Sequence, residues 1–159
     1  MIRTGIGYDA HRLVAERKLV LGGVTIPFAY GLAGHSDADV LTHAITDAVL
    51  GAVAAGDIGQ HFPPSDPQWL NANSIELLRQ SVALVARQGW SVVNIDATVM
   101  TEAPKLAPFI VTMRQYIAAA SGVAIEAVSV KATTVEGMGA IGRREGIAAM
   151  AVATLENDK

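Results

Sequence analysis

The sequence predicts an α+β fold, a two-layer α/β sandwich in which a mixed β-sheet carries its helices on one face. Three observations support this: apolar stretches that alternate with a period of two, three longer segments with helical periodicity, and glycine, proline or asparagine at the boundaries between them. After an opening strand and hairpin, the order is α, α, β, α, β, β, which favours helices layered on one side of a sheet. We expect residues 1–159 to form a single domain.

The chain is expected to open with a strand and a hairpin. Residues 2–13 alternate well enough for a strand. Two apolar runs follow, at 19–21 and 24–28, and the two glycines between them are typical of a hairpin turn. We expect residues 31–34 to form a loop.

The first predicted helix has two different faces. Ser36 or Asp37 can cap its start, with Asp39 in its first turn, and a glycine at position 56 ends it. Asp39, His43 and Asp47 recur at intervals of four and therefore share one face. The opposite face is an apolar stripe expected to bind the helix to the core, formed by Val40, Leu41, Ala44, Ile45, Ala48 and Ala52.

The remainder of the chain alternates between helices and strands. A proline-containing loop over 57–71 precedes a second helix, which Asn73 caps and Gly89 ends. The later predicted elements are that helix at 74–88, a strand at 90–100, a turn at 101–105, a helix at 107–121, a strand at 128–134, a glycine-rich loop at 137–142 and a strand at 147–155.

Composition restricts the class of function. Hydrophobic residues make up 51% of the chain and no apolar run reaches the length of a membrane span, so we expect the excess to be buried in a homo-oligomeric interface. A net charge of −3 without a basic cluster argues against nucleic acid as a partner. The N-terminus lacks the apolar core of a signal peptide, which predicts a cytoplasmic location. Without cysteine, any metal must be bound by nitrogen and oxygen atoms.

An aspartate and a histidine stand two residues apart on the first predicted strand. Asp9 and His11 project from one face of that strand, because side chains alternate with a period of two. His43 lies mid-helix, where burial without a partner would cost about 1–3 kcal/mol. One carboxylate and two imidazoles can form a tetrahedral site with an open fourth position, the pattern of a catalytic zinc. The alternative for Asp9 and His11 is an exposed polar strand edge.

Other polar clusters could contact a ligand. His35 and Ser36 precede the first helix, where free N–H groups suit a phosphate, although a solvent-exposed loop histidine is the alternative. Asp57, in a glycine-flanked turn, could accept from ligand hydroxyls or simply end the helix. Residues 131–136 could hold a phosphate with a hard metal ion, or form a threonine-rich strand end.

Three further features have plain interpretations. Asp39 and Asp47 could be metal ligands or carboxylates that orient an imidazole, and Asp39 could equally serve the helix dipole. Residues 137–142 match G-x-G-x-x-G, but the 17 residues that follow are too few for a dinucleotide-binding unit. His61 has no periodic partner and is expected at the surface.

Together the short motifs resemble the 2-C-methyl-D-erythritol 2,4-cyclodiphosphate synthase family of non-mevalonate isoprenoid synthesis. They keep the family's order and spacing over nearly the whole chain. The motifs are Asp9-x-His11, His35-Ser36-Asp37-x-Asp39 with His43, Gly56-Asp57-Ile58-Gly59, Ala103-Pro104-Lys105, Lys131-Ala132-Thr133-Thr134 and Gly142-Arg143-x-Glu145-Gly146. The resemblance implies a homotrimer with active sites between subunits.

The resemblance also implies a reaction and its metals. The 2-phosphate of 4-diphosphocytidyl-2-C-methyl-D-erythritol 2-phosphate attacks its own β-phosphorus, and CMP is released without a protein nucleophile. Glu136 binds a second ion, Mg²⁺ or Mn²⁺, and His35 and Thr134 are catalytic through hydrogen bonds to phosphate oxygens. The implied zinc ligands are Asp9, His11 and His43.

Substrate contacts are likewise implied by the resemblance. The backbone of residues 101–107 receives the cytosine of the neighbouring subunit's ligand, Asp57 accepts from the sugar hydroxyls, and Arg143 and Glu145 lie near the trimer axis. The implied substrate-binding residues are Asp9, His11, Ser36, Asp57, Ile58, Gly59, Phe62, Asp66, Thr101, Ala103, Pro104, Lys105, Leu106, Ala107, Thr133, Val135, Glu136 and Arg143.

Three positions depart from the family's pattern. Pro64 stands where a carboxylate is common, Val135 replaces a third threonine, and Ala140 replaces a bulkier residue. None of them belongs to the implied metal set. Two other functions stay open: a metal-dependent nucleotide phosphodiesterase in which zinc activates water, and a non-catalytic trimer that binds metal or nucleotide.

Overall fold

The computed structural model describes residues 1–157 and arranges them as a mixed sheet with helices packed against it. The strands are β1 (Ile2–Ala15), β2 (Leu19–Leu21), β3 (Val24–Ile26), β4 (Tyr30–Leu32), β5 (Ser91–Met100), β6 (Val128–Thr133) and β7 (Gly146–Glu156). The helices are α1 (Val40–Ala52), α2 (Ile58–His61), α3 (Ser74–Arg87), α4 (Ile110–Ser121) and α5 (Gly139–Gly142).

Five strands form the main sheet in the order β4-β1-β7-β5-β6, and β2 pairs with β3 in a separate hairpin. β1, β7 and β5 are antiparallel neighbours, whereas β5 and β6 run parallel. A parallel pair needs a crossover connection, and the segment that contains α4 supplies it. The predicted mixed sheet and α+β class are therefore confirmed.

The inner face of the sheet is lined by very small residues beneath α1. Gly5 and Gly7 lie on β1, and a Cβ atom at Gly7 would stand 1.9 Å from the carbonyl oxygen of Ala44. A Cβ at Gly5 would stand 2.0 Å from the carbonyl oxygen of Ala48. Since no side chain separates them, the strand and helix backbones are in direct contact. This close approach brings the middle of α1 over the polar end of β1.

The opposite face of the sheet, at β1 and its neighbour β7, is apolar and exposed. Ile6 is opposite Val152, and Tyr8 is opposite Met150, in the β1–β7 register. Their exposed fractions are 66%, 37%, 57% and 42% respectively. Large apolar side chains grouped on one exposed face are typical of a protein–protein interface.

Several element boundaries differ from the sequence-based expectations. The expected loop at 31–34 is wrong in part, because Tyr30–Leu32 forms β4 and pairs with the end of β1. Such a short run shows no alternation, so its strand character depends on a partner distant in the chain. The expected loops at 57–71 and 137–142 contain the short helices α2 and α5.

Helix α1 starts and ends inside its predicted bounds. Its cap is Asp39, whose side chain accepts from the Thr42 N–H, so neither Ser36 nor Asp37 caps it. It stops at Ala52 because Ala54 adopts a left-handed φ of 57°. Its predicted apolar stripe is buried, as expected. Asp39 and His43 are buried as well, Asp39 against the turn between β2 and β3 and His43 against the start of α3.

No helix within residues 1–157 combines the length and the apolar character that crossing a membrane requires.

Candidate functional site

Three ligand atoms converge where β1 meets α1. Asp9 Oδ2 lies 2.8 Å from His11 Nε2 and 3.0 Å from His43 Nδ1, and the two imidazole nitrogens are 3.3 Å apart. Zinc–ligand bonds of about 2.0–2.1 Å arranged tetrahedrally need donor atoms roughly 3.3 Å apart. The three atoms are therefore close to the spacing that a metal ion would impose, and among the described residues they form the one such cluster.

The donor set fits a metal because the outer nitrogen of His11 is already engaged. His11 Nδ1 donates to the carbonyl oxygen of Ala33 over 2.6 Å. The inner nitrogen, Nε2, is therefore the one that can present a lone pair to a metal. His43 is held in the opposite sense: its Nε2 lies 3.1 Å from Ser36 Oγ and 2.9 Å from Ser74 Oγ, and its Nδ1 faces the cluster.

Interactions within the cluster shift the pKa values of Asp9 and His11 in opposite directions. Burial disfavours the ionised carboxylate of Asp9, yet a hydrogen bond from His11 and the adjacent imidazole of His43 more than offset it, so the pKa of Asp9 lies below its ordinary value. The hydrogen bond that His11 donates to the Asp9 carboxylate raises the pKa of His11, although burial acts to lower it. Without a metal, the cluster therefore holds a carboxylate beside a readily protonated imidazole.

A cavity of about 250 Å³ opens above the cluster. We call it the histidine cavity. It brings together most of the predicted residues from the first half of the chain, and Asp47, Pro64, Trp69 and Leu77 join its wall. The predicted residues that line it are Asp9, His11, His35, Ser36, His43, Ile58, Gly59 and Phe62.

His35 enters this cavity from a loop that Arg17 holds in place. The Arg17 guanidinium donates to the carbonyl oxygens of Gly34 at 3.0 Å and Ser36 at 2.9 Å, on either side of His35. The His35 Nε2 lies 3.2 Å from the carbonyl oxygen of Asp66. His35 is thus positioned by the backbone on both sides, while its ring keeps only one long contact.

A second group of predicted residues lines a different cavity, of about 230 Å³, beside the end of β6. We call it the threonine cavity. Glu102 and Ala132 also line it, and the Ala103–Pro104 peptide bond at its wall is cis. The predicted residues in it are Thr101, Pro104, Lys105, Leu106, Ala107, Thr133 and Thr134.

The loop that follows Thr134 is anchored by an acid that the sequence did not single out. Glu102 Oε1 accepts from the Val135 N–H at 2.8 Å and from the Gly137 N–H at 3.4 Å. Glu136 between them has a left-handed φ of 53°, so the two N–H groups can converge on one oxygen, as in an anion-binding nest. Glu136 Oε1 in turn accepts from the Thr134 hydroxyl at 3.3 Å.

The remaining predicted residues line neither cavity. Asp57 caps α2 by accepting from the Gln60 N–H, and the Asp66 carboxylate accepts from the Gln68 N–H. Ala103 lines a third cavity. Arg143 forms an ion pair of 2.7 Å with Glu145.

Asp39 and Asp47 have structural roles instead of the suggested contacts with an imidazole. The Asp39 carboxylate accepts from the N–H groups of Gly22 and Gly23 at 2.9 and 2.8 Å, which fixes the β2–β3 hairpin to α1. Burial raises the pKa of Asp39. Asp47 accepts from the Ile58 N–H at 2.7 Å and so orients α2.

His61 was expected at the surface and is instead partly buried. Its Nε2 donates to the carbonyl oxygen of Ala55 over 2.7 Å. This hydrogen bond ties the end of α2 to the segment between α1 and α2. His61 therefore stabilises the part of the chain that forms the wall of the histidine cavity.

Sequence reasoning missed four contributors to the site: Arg17, Glu102, Ser74 and the glycine pair. Arg17, Glu102 and Ser74 act on backbone or side-chain atoms far away in sequence, so no local pattern marks them. Gly5 and Gly7 did leave a signal, because two glycines at a spacing of two on a strand indicate close backbone approach.

Comparison with known proteins gives concordant matches. The model of the YgbB family matches residues 2–156. A protein of Thermosynechococcus vestitus named 2-C-methyl-D-erythritol 2,4-cyclodiphosphate synthase is 58% identical over 156 residues, which are 98% of this chain and 97% of the relative. A protein of the same name from Enterococcus faecalis is 54% identical over 156 residues, 98% of this chain and 99% of the relative.

Solved structures agree in fold. The bifunctional IspDF of Campylobacter jejuni superposes with a TM-score of 0.95 at 44% identity, over 99% of this chain and 42% of that longer one. The CDP complex of IspF from Plasmodium falciparum gives a TM-score of 0.87 at 32% identity, over 99% of this chain and 97% of the other. With both sequence and fold matched over almost its full length, the chain belongs to the YgbB family.

Proposed function

We propose that this chain is a 2-C-methyl-D-erythritol 2,4-cyclodiphosphate synthase, a lyase that converts 4-diphosphocytidyl-2-C-methyl-D-erythritol 2-phosphate to the cyclic diphosphate and CMP. The observation that carries the proposal is the convergence of Asp9, His11 and His43 at metal-ligand spacing beneath an open cavity. The name shared by relatives of 58% and 54% identity supports the same reaction.

Asp9, His11 and His43 would hold zinc, and Glu136 a magnesium or manganese ion. Carboxylate and imidazole donors suit the first ion, and a lone exposed carboxylate that leaves room for water and phosphate oxygens suits the second. When bound, the ions would supply positive charge that neutralises the diphosphate and the departing CMP. With three protein ligands, a bound zinc ion would have a position open for a phosphate oxygen.

The chain's own residues would then orient and stabilise the reacting phosphates. His35 is proposed to exchange its 3.2 Å contact with the Asp66 carbonyl for a phosphate oxygen. The Thr134 hydroxyl, which donates to Glu136 at 3.3 Å, would turn to a phosphate oxygen in the same way. Asp57 accepts one hydrogen bond as the cap of α2, and the remaining lone pairs of its carboxylate could accept from the sugar hydroxyls. The attacking group is the substrate's own 2-phosphate, so no protein nucleophile is required.

A homotrimer with active sites between subunits is part of the proposal. His35 lines the histidine cavity and Thr134 the threonine cavity, although both are proposed to act on one substrate. A site formed by the histidine cavity of one subunit and the threonine cavity of the next would unite them. The exposed apolar residues on the outer sheet face offer a surface for this assembly.

The threonine cavity is proposed to hold the cytidine group. Solved relatives include a complex with CDP from Plasmodium falciparum. The cavity is walled by the cis Ala103–Pro104 bond and by residues of the short turn before α4, whose start has no side-chain cap. Its backbone groups are proposed to recognise the base. Arg143 and Glu145 are proposed to lie near the trimer axis.

The reaction can be tested by phosphorus NMR of the purified protein with the substrate, Zn²⁺ and Mg²⁺. We expect the diphosphate signals to be replaced by those of CMP and of a cyclic diphosphate. Release of CMP with a linear product would instead indicate the metal-dependent phosphodiesterase. Stoichiometric binding without CMP release would indicate a non-catalytic metal- or nucleotide-binding trimer.

A further inference from the structure

We propose that Asp37 and Ser74 are positioning residues for His43, and that they act by fixing which of its ring nitrogens carries the proton. The inference rests on the metal site of the proposed function and is independent of which reaction that site performs. It was not apparent from sequence, where Asp37 was expected to cap α1 and Ser74 was only the first residue of a helix.

The Ser74 hydroxyl has a single proton to share between two neighbours. Ser74 is fully buried at the start of α3, with Oγ 2.9 Å from His43 Nε2 and in close contact with Asp37 Oδ1. An ionised carboxylate can only accept a hydrogen bond, so the hydroxyl must donate to Asp37. The oxygen of Ser74 then faces His43 with a lone pair, and Nε2 must be the donor.

Fixing the proton on Nε2 leaves a lone pair on His43 Nδ1. That nitrogen faces Asp9 Oδ2 at 3.0 Å and His11 Nε2 at 3.3 Å, so its lone pair is directed at the centre of the cluster. Zinc-bound histidines usually donate their outer N–H to a carboxylate or a backbone carbonyl. His11 uses a carbonyl in this way, and His43 uses a carboxylate with one hydroxyl interposed.

The carboxylate at the end of this chain of hydrogen bonds is itself immobilised. Asp37 Oδ2 accepts from the Ser74 N–H at 3.0 Å, and Oδ1 accepts from the Asp39 N–H at 3.1 Å. Asp37 therefore joins the loop before α1 to the first residue of α3. Two backbone N–H groups and one hydroxyl donate to the Asp37 carboxylate. The Ser74 hydroxyl is therefore held as a donor to Asp37 and as an acceptor for His43.

A second hydroxyl near His43 provides an internal comparison. Ser36 Oγ lies 3.1 Å from His43 Nε2 and accepts from the Ala38 N–H at 3.1 Å. Nε2 has one proton, and the contact with Ser74 is the shorter. The hydroxyl proton of Ser36 is therefore available to the histidine cavity, which Ser36 lines. The two serines differ in role: Ser74 positions His43, whereas Ser36 faces the ligand.

The experiment measures zinc affinity on metal-stripped protein with a competing chromophoric chelator. We expect Ser74→Ala to weaken zinc binding by about 10–100-fold, the usual cost of removing a partner of a metal-bound histidine. Ser36→Ala, which removes a hydroxyl at nearly the same distance from the same nitrogen, is the matched control for affinity and should leave it near the wild-type value. Cobalt(II) absorption should change in intensity with Ser74→Ala, since ring orientation affects the coordination geometry.

Asp37→Asn is the second variant, and it serves if Ser74→Ala fails to fold without metal. The amide removes no volume, but in either orientation its NH₂ group faces a backbone N–H donor, and one orientation also donates to the Ser74 hydroxyl. We expect it to lose zinc affinity as Ser74→Ala does. Wild-type affinity in both variants, or an equal loss in Ser36→Ala, would overturn the proposal. CMP release by wild-type protein, assayed in parallel, tests the proposed function separately.

Discussion

At the scale of single residues, the candidate metal site depends on how Asp9 shares one carboxylate oxygen between two histidines. Asp9 Oδ2 contacts both His11 Nε2 and His43 Nδ1, while Oδ1 accepts from the Ala10 N–H at 2.9 Å. In the absence of metal, a proton can bridge the oxygen and a ring nitrogen. A metal ion replaces that proton, so metal binding and protonation compete for the same atoms.

The first prediction concerns the stability of metal-stripped protein as a function of pH. The lowered pKa of Asp9 stabilises the fold above the unfolded value of about 3.9, and this is lost as pH falls through the folded value. The raised pKa of His11 stabilises the fold below about 6.5, and this is lost as pH rises through the folded value. Both shifts describe the same pair, so the pair should stabilise most between about pH 4 and 6.5.

Thermal unfolding of metal-stripped wild type and His11→Gln, followed from acid to mildly alkaline pH, checks this prediction. The difference between their midpoints should be largest in that window and should shrink on both sides. A difference that stays constant with pH would show that His11 stabilises through packing alone.

At the scale of elements, the site is formed by an unusually close contact between a strand and a helix. β1 carries two of the proposed zinc ligands and α1 the third, and the bare backbones at Gly5 and Gly7 set the separation between them. Neither glycine has a left-handed φ. They are required here for space, and any side chain would have to push α1 away from the sheet.

The second prediction is that Gly7→Ala weakens both the fold and the metal site. The added Cβ would meet the Ala44 carbonyl oxygen at 1.9 Å, and overpacking of this kind costs about 1–3 kcal/mol. Because Ala44 follows His43, the displacement should also lower zinc affinity. Urea unfolding of metal-stripped protein and the chelator titration measure the two effects.

Gly51→Ala is the matched control for this variant. Gly51 lies on α1, the helix that packs against Gly7. A Cβ at Gly51 would meet its nearest atom, the Ile6 carbonyl oxygen, at an ordinary 3.8 Å. Replacing a glycine inside a helix by alanine should stabilise it by about 0.5–1 kcal/mol. A Gly7→Ala variant as stable as wild type, with unchanged zinc affinity, would contradict the close-contact argument.

At the scale of the whole molecule, the proposed catalytic residues are distributed over two separate cavities. His35 lies in the histidine cavity and Thr134 in the threonine cavity. The exposed apolar face of β1 and β7 is available to neighbouring copies of the chain. A cyclic trimer would give each subunit half of two different active sites.

The third prediction tests that arrangement by mixing two inactive variants. We expect His35→Ala and Thr134→Ala to be inactive alone. If they are unfolded and refolded together in equal amounts, about a quarter of the subunit interfaces in random cyclic trimers should combine an intact His35 with an intact Thr134. Activity should therefore recover to about that fraction of wild type. Lack of recovery, with trimers seen by light scattering, would place both residues in one subunit's site.

Features of the fold and the site that depend on residues close together in sequence could be predicted from the sequence. Asp9 and His11 were predictable as a pair because strand alternation alone places them on one face, and His43 because it lies mid-helix. The helices α3 and α4 and the long strands carried periodic signals. β4 did not, because a three-residue strand depends on the partner with which it pairs.

Features that depend on contacts across the chain could not be read in this way. Ser74 follows His43 by 31 residues, and Glu102 is separated from Val135 by 33. Their side chains are ordinary for a helix start and a turn, so only the folded arrangement reveals their partners. The same holds for the burial of Asp39, which was expected to bind metal, orient an imidazole or serve the helix dipole, and which also anchors the β2–β3 hairpin.

The glycine pair of β1 has a consequence for how this centre could be altered. Two of the proposed zinc ligands are fixed relative to the third by the thickness of two polypeptide backbones, a dimension that no exchange of core side chains can adjust. Repacking the interior would therefore change stability while leaving the ligand geometry nearly constant. Zinc affinity is left to be tuned by the groups behind the imidazoles, which makes the Ser74 hydroxyl and the Ala33 carbonyl the natural points for adjusting the metal.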